Sequence, residues 1–432
     1  MTERFDAIIV GAGPAGLSAA YVLSKAGLNV IIFERGDYPG AKNVMGGVIY
    51  RQPTEEIFPE FWKSAPLERP IVQQGMWVLG EGSAVTASHR NQVFAREPYN
   101  CFTVLRARFD KWLAKQVTDA GALLVPETVV EEALKDNEGR VVGVRAGRDQ
   151  GEVHADVVIA ADGVNSLLSK SLGLHKEWKP NEVSVAVKEI IALPKEKIED
   201  RFNLEEGMGA TIELTGAVAD GMMGLGFIYT NKESLSVGMG VMLNDLIESG
   251  KQPNELLENL KAHPVIKPLV AGGEIKEYMG HLIPEGGLDS IPKLYTDGLM
   301  VVGDAAGLVN AMHREGSNLA MLSGKLAAET VLEARAEKDF SARMMSRYEK
   351  RLMESVIGAD LRKYRRAPHF FESSPHLFSL YPQLLNDAAA EFITVDGVPK
   401  RQKQWKIIGM ARKRRSLLGM ARDLWGAWRS MA

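Results

Sequence analysis

The chain has 432 residues, 45% of them hydrophobic and 25% charged, the make-up of a soluble globular protein with room for two or three domains. A single cysteine, Cys101, excludes internal disulfides and any cysteine-ligated iron–sulfur cluster within the chain, and no metal site is expected. The net charge of −3 is unevenly spread: from Lys400 onward stand ten basic residues and one acid, Asp423, so the tail carries +9 and the remainder −12. Such a tail points to a surface or a partner. Nucleic acid is a poor fit, because no other basic cluster exists.

In chain order, the first unit is residues 6–34, DAIIVGAGPAGLSAAYVLSKAGLNVIIFE. Residues 7–10 form an apolar, β-branched run of strand length. Gly11, Gly13 and Gly16 follow in G-x-G-x-x-G spacing, with Pro14 and Ala15 between the last two. A helical pattern closes at Gly27, and a second apolar run, 30–33, ends in Glu34 and Arg35. This predicts a βαβ dinucleotide fold: Gly11 for the turn, Gly13 for approach of a pyrophosphate, Gly16 for helix–strand packing. The helix N-terminus would face the phosphates, and Glu34 the ribose hydroxyls. The unit begins within a few residues of Met1, so no signal peptide is expected, and no run of about 18 apolar residues predicts a membrane-spanning helix.

The next stretch, with Gly40, Ala41, Lys42, Asn43, Gly46 and Gly47, reads as a loop reaching along the cofactor. Residues 53–70 are aromatic and broken by proline, either a core-packing excursion or the lip of a ligand channel. Residues 104–110 lead into Trp112, Leu113, Val117 and Ala120 at helical spacing, a helix ended by Gly121, with strands expected at 123–125 and 128–130 and a hairpin partner at 140–145. Residues 156–160 form another buried strand, broken by Asp162 and Gly163, with a helix from 165 or 166. Residues 183–285 read as a mainly antiparallel sheet with one helix near 254–261. Glycines 224, 226, 238 and 240 inside those strands mark close approach of a ligand or another backbone, or bulges. The sheet pattern returns at 299–302, followed by Gly303 and Asp304. A polar loop with His313, Arg314 and Gly316 leads through Ser317 and Asn318 into a helix with Leu322, Leu326, Thr330 and Val331 on one face.

The expected fold is therefore α/β, a Rossmann-like domain interleaved with a mainly antiparallel α+β domain and followed by a helical tail. The boundaries are 1–182 (with an insertion at about 50–100), 183–285, 286–345 and 346–432. Three glycine-centred strand ends, at Gly11, Asp162 and Gly303, converge on one elongated ligand. The set resembles the flavoprotein superfamily of aromatic hydroxylases, geranylgeranyl reductases and electron-transfer-flavoprotein:quinone oxidoreductases. That resemblance implies FAD, with Arg106 near the phosphates, Asp304 on the ribityl chain and Val130 at adenine through its backbone. Gly316, Ser317 and Asn318 would line the isoalloxazine edge. Residues 40–43 with 46–47, 318–329 and 392–397 match the FixC-type branch of the quinone oxidoreductases most closely.

The resemblance further implies electron flow from electron transfer flavoprotein alpha and beta subunits to menaquinone or ubiquinone. Single-chain oxidoreductases of this family carry a C-terminal ferredoxin-like domain with cysteine ligands that this chain lacks, so the resemblance implies a cluster on a separate small ferredoxin-like iron–sulfur subunit. No side-chain nucleophile is required; His313 and Arg314 are weak candidates for assisting quinone protonation beside a structural role. From 407 to 428 apolar pairs recur at three- and four-residue steps among basic residues, the pattern of a helix lying on the cytoplasmic face of the cell membrane or docking on a subunit. The alternatives are a prenyl reductase resembling geranylgeranyl reductase and a non-catalytic assembly subunit with structural FAD.

Overall fold

The computed structural model describes residues 4–42, 45–147 and 151–431. Asn43 thus lies outside the described residues. The chain forms two compact units: Met1–Leu67 with Val104–Glu182 and Ile283–Arg362, and Glu68–Thr103 with Val183–Leu282 and Lys363–Ala432. The stretch Glu68–Thr103 falls within the region read as an insertion and folds with the second unit.

The first unit is built on a sheet in the order Tyr295–Thr296, Leu299–Val301, Glu152–Ala160, Arg4–Val10, Val30–Phe33, Leu123–Val125. The last five of these strands run parallel. Apart from the edge strand Leu123–Val125, their apolar runs are buried on both faces, as a parallel sheet between helices requires. The antiparallel strands Val130–Lys135 and Val141–Ala146 extend from Glu152–Ala160, joined by the expected turn around Gly139.

Helix Pro14–Lys25 lies against helix Ser317–Glu337, and the contact is made by small residues. A Cβ built on Gly324 would lie 2.1 Å from the Ala15 carbonyl oxygen. Ala320, Ala327, Ala328 and Val331 continue the buried stripe, whereas Leu322 and Leu326 are only half-buried. The expected leucine face is therefore corrected: the seam is selected for backbone approach, not for side-chain volume. The aromatic stretch after residue 53 resolves toward core packing. Phe58 and Phe61 are buried, and Phe58 packs on Tyr21 at 4.5 Å and Trp112 at 5.9 Å between ring centroids.

The second unit holds a mixed sheet in the order Glu274–Pro284, Val183–Ala192, Ser234–Met242, Gly224–Thr230, Gly209–Gly216, Leu67–Leu79, Cys101–Val104. Strands Val183–Ala192, Ser234–Met242, Gly224–Thr230 and Gly209–Gly216 pair antiparallel in turn, and Gly209–Gly216 joins Leu67–Leu79 in parallel. The unit carries more helix than expected. Lys195–Phe202 presents only Ile198 and Phe202 to the core, too few apolar positions to read from sequence, and Leu243–Ser249 buries only Leu246. The strand Glu274–Pro284 was also missed, because it is exposed along most of its length and lacks an apolar run. A side chain at the interior glycines would meet neighbouring protein atoms: a Cβ built on Gly224 would lie 2.6 Å from the Gly240 carbonyl oxygen, one on Gly226 would meet Val218, and one on Gly238 the Phe227 ring.

Arg69, 1% exposed, ties this unit together. Its Nε donates to Asn231 O, Nη1 to Glu199 Oε1 and Met208 O, and Nη2 to Lys232 O, all within 2.7–2.9 Å. The tail forms two helices, Lys400–Arg414 and Leu417–Met431, with extended backbone at Arg415 between them. Asp423 is buried there. It accepts from Tyr381 Oη at 2.6 Å and from the Arg415 fork at 2.9 and 2.8 Å, and it lies 3.0 Å from His376 Nε2.

The glycine seam predicts that Gly324→Ala destabilises the protein by about 2 kcal/mol or more through overpacking. Urea unfolding measures it; an unchanged midpoint would remove the close backbone contact.

Candidate functional site

Three adjacent parallel strands, Arg4–Val10, Glu152–Ala160 and Leu299–Val301, end at the same edge of the first unit's sheet. Their C-terminal turns are therefore neighbours, where ligands of open α/β sheets bind. Gly11 has φ +103°, and a Cβ there would lie 2.3 Å from the Ala161 carbonyl oxygen. Gly16 admits no Cβ either, with the Gly11 carbonyl at 2.1 Å. Gly13 differs: its φ is −81°, and nothing lies within 4 Å of a built Cβ. Its backbone faces open space at the N-terminus of helix Pro14–Lys25.

Glu34 closes the same turn. Its Oε2 accepts from Ala12 N at 2.9 Å and its Oε1 from Gly36 N at 2.7 Å. Each oxygen keeps acceptor capacity for a hydroxyl. Arg35, exposed, acts electrostatically on Asp162. Asp162 Oδ2 accepts from Leu168 N at 2.9 Å, while Oδ1 is buried without a partner. Burial raises this carboxyl, and backbone N–H bonds partly offset that. Gly163, φ +70°, also faces open space.

The third turn is fixed from the following helix. Ser323 Oγ accepts from Gly303 N at 3.0 Å and donates to Ala320 O at 2.7 Å. A Cβ on Gly303 would lie 2.9 Å from that of Ala15, so this turn adjoins the first. Enclosure raises the Asp304 carboxyl to about 6, offset in part by Arg106.

Arg106 is buried and fully engaged. Nε and Nη2 donate to the two oxygens of Asp110 at 2.8 Å each, and Nη1 donates to Met45 O and to Ser317 Oγ at 3.3 Å. Burial disfavours its charge; Asp110, with Asp304 beyond, restores it and holds the pKa above the usual value. Arg106 thus staples the loop at Gly46 and Gly47 to the start of helix Ser317–Glu337. Asp110 was not singled out from sequence, although its position four residues along the same helix is the signal that could have found it.

The remaining candidates are more scattered. Gly40 packs its backbone on Arg106 and Asp110, Ala41 is half-buried, and Lys42 is exposed. Val130 opens its strand, buried, paired with Ala146. The loop before helix Ser317–Glu337 is pinched by a bridge between Asn310 and Glu315. His313 and Arg314 are exposed on it, Arg314 with φ +55°. Gly316 caps the helix, and Asn318, buried beyond it, leaves Oδ1 without a partner. The open ground around Gly13 and Gly163 and the unpartnered Asp162 and Asn318 oxygens fit a long, polar, hydroxyl-rich ligand carrying phosphates, as FAD does. Among the described residues no group of three His, Cys, Asp or Glu side chains could hold a metal ion. No described helix is long and apolar enough to cross a membrane.

Comparison with known proteins agrees with this geometry. Residues 4–201 match an FAD binding domain, and residues 367–432 match the C-terminal domain of the ETF-QO/FixC family. The chain is 47% identical over 433 residues to Protein FixC of Bradyrhizobium diazoefficiens, covering 99% of each. It is 43% identical over 414 residues to a probable electron transfer flavoprotein-quinone oxidoreductase, YdiS, of Escherichia coli, covering 95% of each. Among solved structures, a geranylgeranyl bacteriochlorophyll reductase-like protein from Thermoplasma acidophilum superposes with a TM-score of 0.74 at 22% identity, covering 95% of this chain and 96% of that one. The FAD-dependent halogenase CndH follows at 0.65 and 19%, covering 96% and 91%. The cofactor is FAD, held on the fold these flavoproteins share.

A carboxyl raised when folded favours the folded state as pH falls, from about 6 down toward the ordinary aspartate value near 4. Asp304→Asn should therefore stabilise the FAD-free protein by up to about 3 kcal/mol above pH 6, with the gain shrinking toward pH 4. Thermal melts of the stripped protein across that range check it.

Proposed function

The chain belongs to the FixC family of FAD-dependent oxidoreductases, and on that premise we propose that it passes electrons from an electron transfer flavoprotein to a membrane quinone. The observation that carries this reading is the match of the C-terminal segment, residues 367–432, to the ETF-QO/FixC C-terminal domain. That family description is narrower than the FAD binding domain matched over residues 4–201.

In this reading Gly11, Gly13, Pro14, Ala15 and Gly16 hold the pyrophosphate at the start of helix Pro14–Lys25, where unpaired N–H groups and the helix dipole meet negative charge. Glu34 accepts from the ribose hydroxyls, and Asp304 accepts from the ribityl chain through a charge-assisted bond. Arg106 holds the Met45–Gly47 loop and Ser317 in place, its own charge answered by Asp110. The bound FAD supplies reversible two-electron chemistry. The chain's residues orient it, exclude water and balance charge; no nucleophile is needed.

The tail supports a peripheral membrane position. Leu418, Leu424, Trp425 and Trp428 are 85%, 74%, 60% and 58% exposed beside Arg422 and Arg429. Apolar and aromatic side chains flanked by arginine suit an anionic lipid surface. An iron–sulfur cluster would lie on a separate small ferredoxin-like subunit, since the chain's single cysteine, Cys101, is buried and cannot supply a cluster's ligands.

The test is single-turnover reoxidation of the chemically reduced, FAD-loaded chain by menaquinone or ubiquinone analogues, with a geranylgeranyl substrate in parallel. Rapid reoxidation by quinone and none by the prenyl chain is expected. Saturation of the prenyl chain without quinone reduction would overturn the proposal.

A further inference from the structure

The large sheet of the second unit has two faces of opposite character. On one, Ile212, Ile228, Val237 and Met239 belong to the apolar core. On the other, the register sets Glu213, Phe227, Gly238 and Lys188 in a single row across four strands. The neighbouring row holds Thr211, Tyr229, Ser236 and Ile190. Glu213 and Lys188 are 7% and 5% exposed. Between their strands the Phe227 and Tyr229 rings stack, with centroids 4.7 Å apart and planes inclined by 22°. The Phe227 ring leans into the space over Gly238, where a Cβ would lie 2.4 Å from Cζ. Gly240, one row on, leaves its position open, with Ala186 Cβ nearest at 3.6 Å.

Two buried ionisable residues on the face opposite the core are a poor device for stability; apolar residues of similar volume serve as well or better. Buried ionisable groups gathered on one surface point instead to a chemical task. The proposed acceptor has such a need. Reducing a quinone to its hydroquinone takes two electrons, supplied by the flavoprotein activity, and two protons, one for each carbonyl oxygen. The Glu213 and Lys188 strands stand three inter-strand spacings apart, about 14 Å. Two long side chains can narrow that span to the width of one ring.

We propose that this face receives the quinone headgroup on the Phe227–Tyr229 pair, with Glu213 and Lys188 as its proton donors. The proposal deepens the quinone-acceptor reading and rests on it. Each carbonyl C=O becomes C–O–H: one proton comes from the Glu213 carboxylic acid, leaving carboxylate, and one from the Lys188 ammonium, leaving amine. Both are recharged from water, and the quinone ring becomes aromatic as it takes up the electron pair.

The experiment compares reoxidation of reduced, FAD-loaded protein by a water-soluble short-chain quinone and by ferricenium, a one-electron acceptor that takes no proton. Glu213→Gln and Lys188→Met should each slow quinone reduction tenfold or more, leave the ferricenium rate within twofold, and flatten the pH profile of the quinone rate. Glu213→Asp, which keeps the acid, should recover most of it. Unchanged quinone rates, or equal losses with both acceptors, would overturn the assignment as a structural effect. Wild-type protein that reduces ferricenium but no quinone would instead remove the acceptor reading, and this proposal with it.

Discussion

The carbonyl oxygen of Ala161 occupies the place where any side chain at position 11 would have to go. That exclusion sets the geometry of the first unit. It lets the ends of strands Arg4–Val10 and Glu152–Ala160 meet backbone to backbone, and the Gly16 position repeats it between strand and helix. Gly324 extends the same logic outward, placing helix Ser317–Glu337 against the Ala15 carbonyl. Ser323, one residue before it, then fixes the Gly303 turn. The proposed cofactor cradle is thus made by removing side chains from a chain of contacts, leaving backbone amides and a few carboxylates at the strand ends.

Buried charge is handled by local pairing. Arg69 spends its donors on Glu199 and three carbonyls, and Arg106 on Asp110 and the loop ahead of Gly46. Asp423, despite burial, is drawn down to about 2 by Arg415, Tyr381 and His376. Its stabilising ionisation persists above the ordinary carboxylate range and is lost only as pH falls toward 2. Asp304 and Asp162 are exceptions: Arg106 offsets the enclosure of Asp304 only in part, and Asp162 keeps one oxygen without a partner. A carboxylate left short of donors is suited to a ligand's hydroxyl group.

Much of this was legible in the sequence because it is local. The G-x-G-x-x-G spacing, the acid ending the second strand and the Asp162–Gly163 and Gly303–Asp304 turns are each recognisable within a few residues, although the contacts that require Gly11 and fix Gly303 come from distant Ala161 and Ser323. Residues whose roles depend on burial or on distant partners were not. Asp110 looks like any helix acid until Arg106 turns inward, and Leu322 and Leu326 look like a core face until Gly324 shows what the helix packs on. The strand Glu274–Pro284 is hidden by its exposure, and the polar row through Glu213 and Lys188 exists only once four strands are in register. The tail read as amphipathic throughout, but Asp423, its one acid, is the residue that ties it down.

The most direct measurement uses Gly13. Its φ is ordinary and a Cβ there meets no protein atom within 4 Å, so the fold has no objection to a side chain. Only a ligand pressed against that backbone would. FAD affinity of Gly13→Val, measured by fluorescence titration of the stripped protein, should fall at least a hundredfold while its FAD-free melting temperature matches wild type. Binding at wild-type strength would place the cofactor elsewhere and contradict the account.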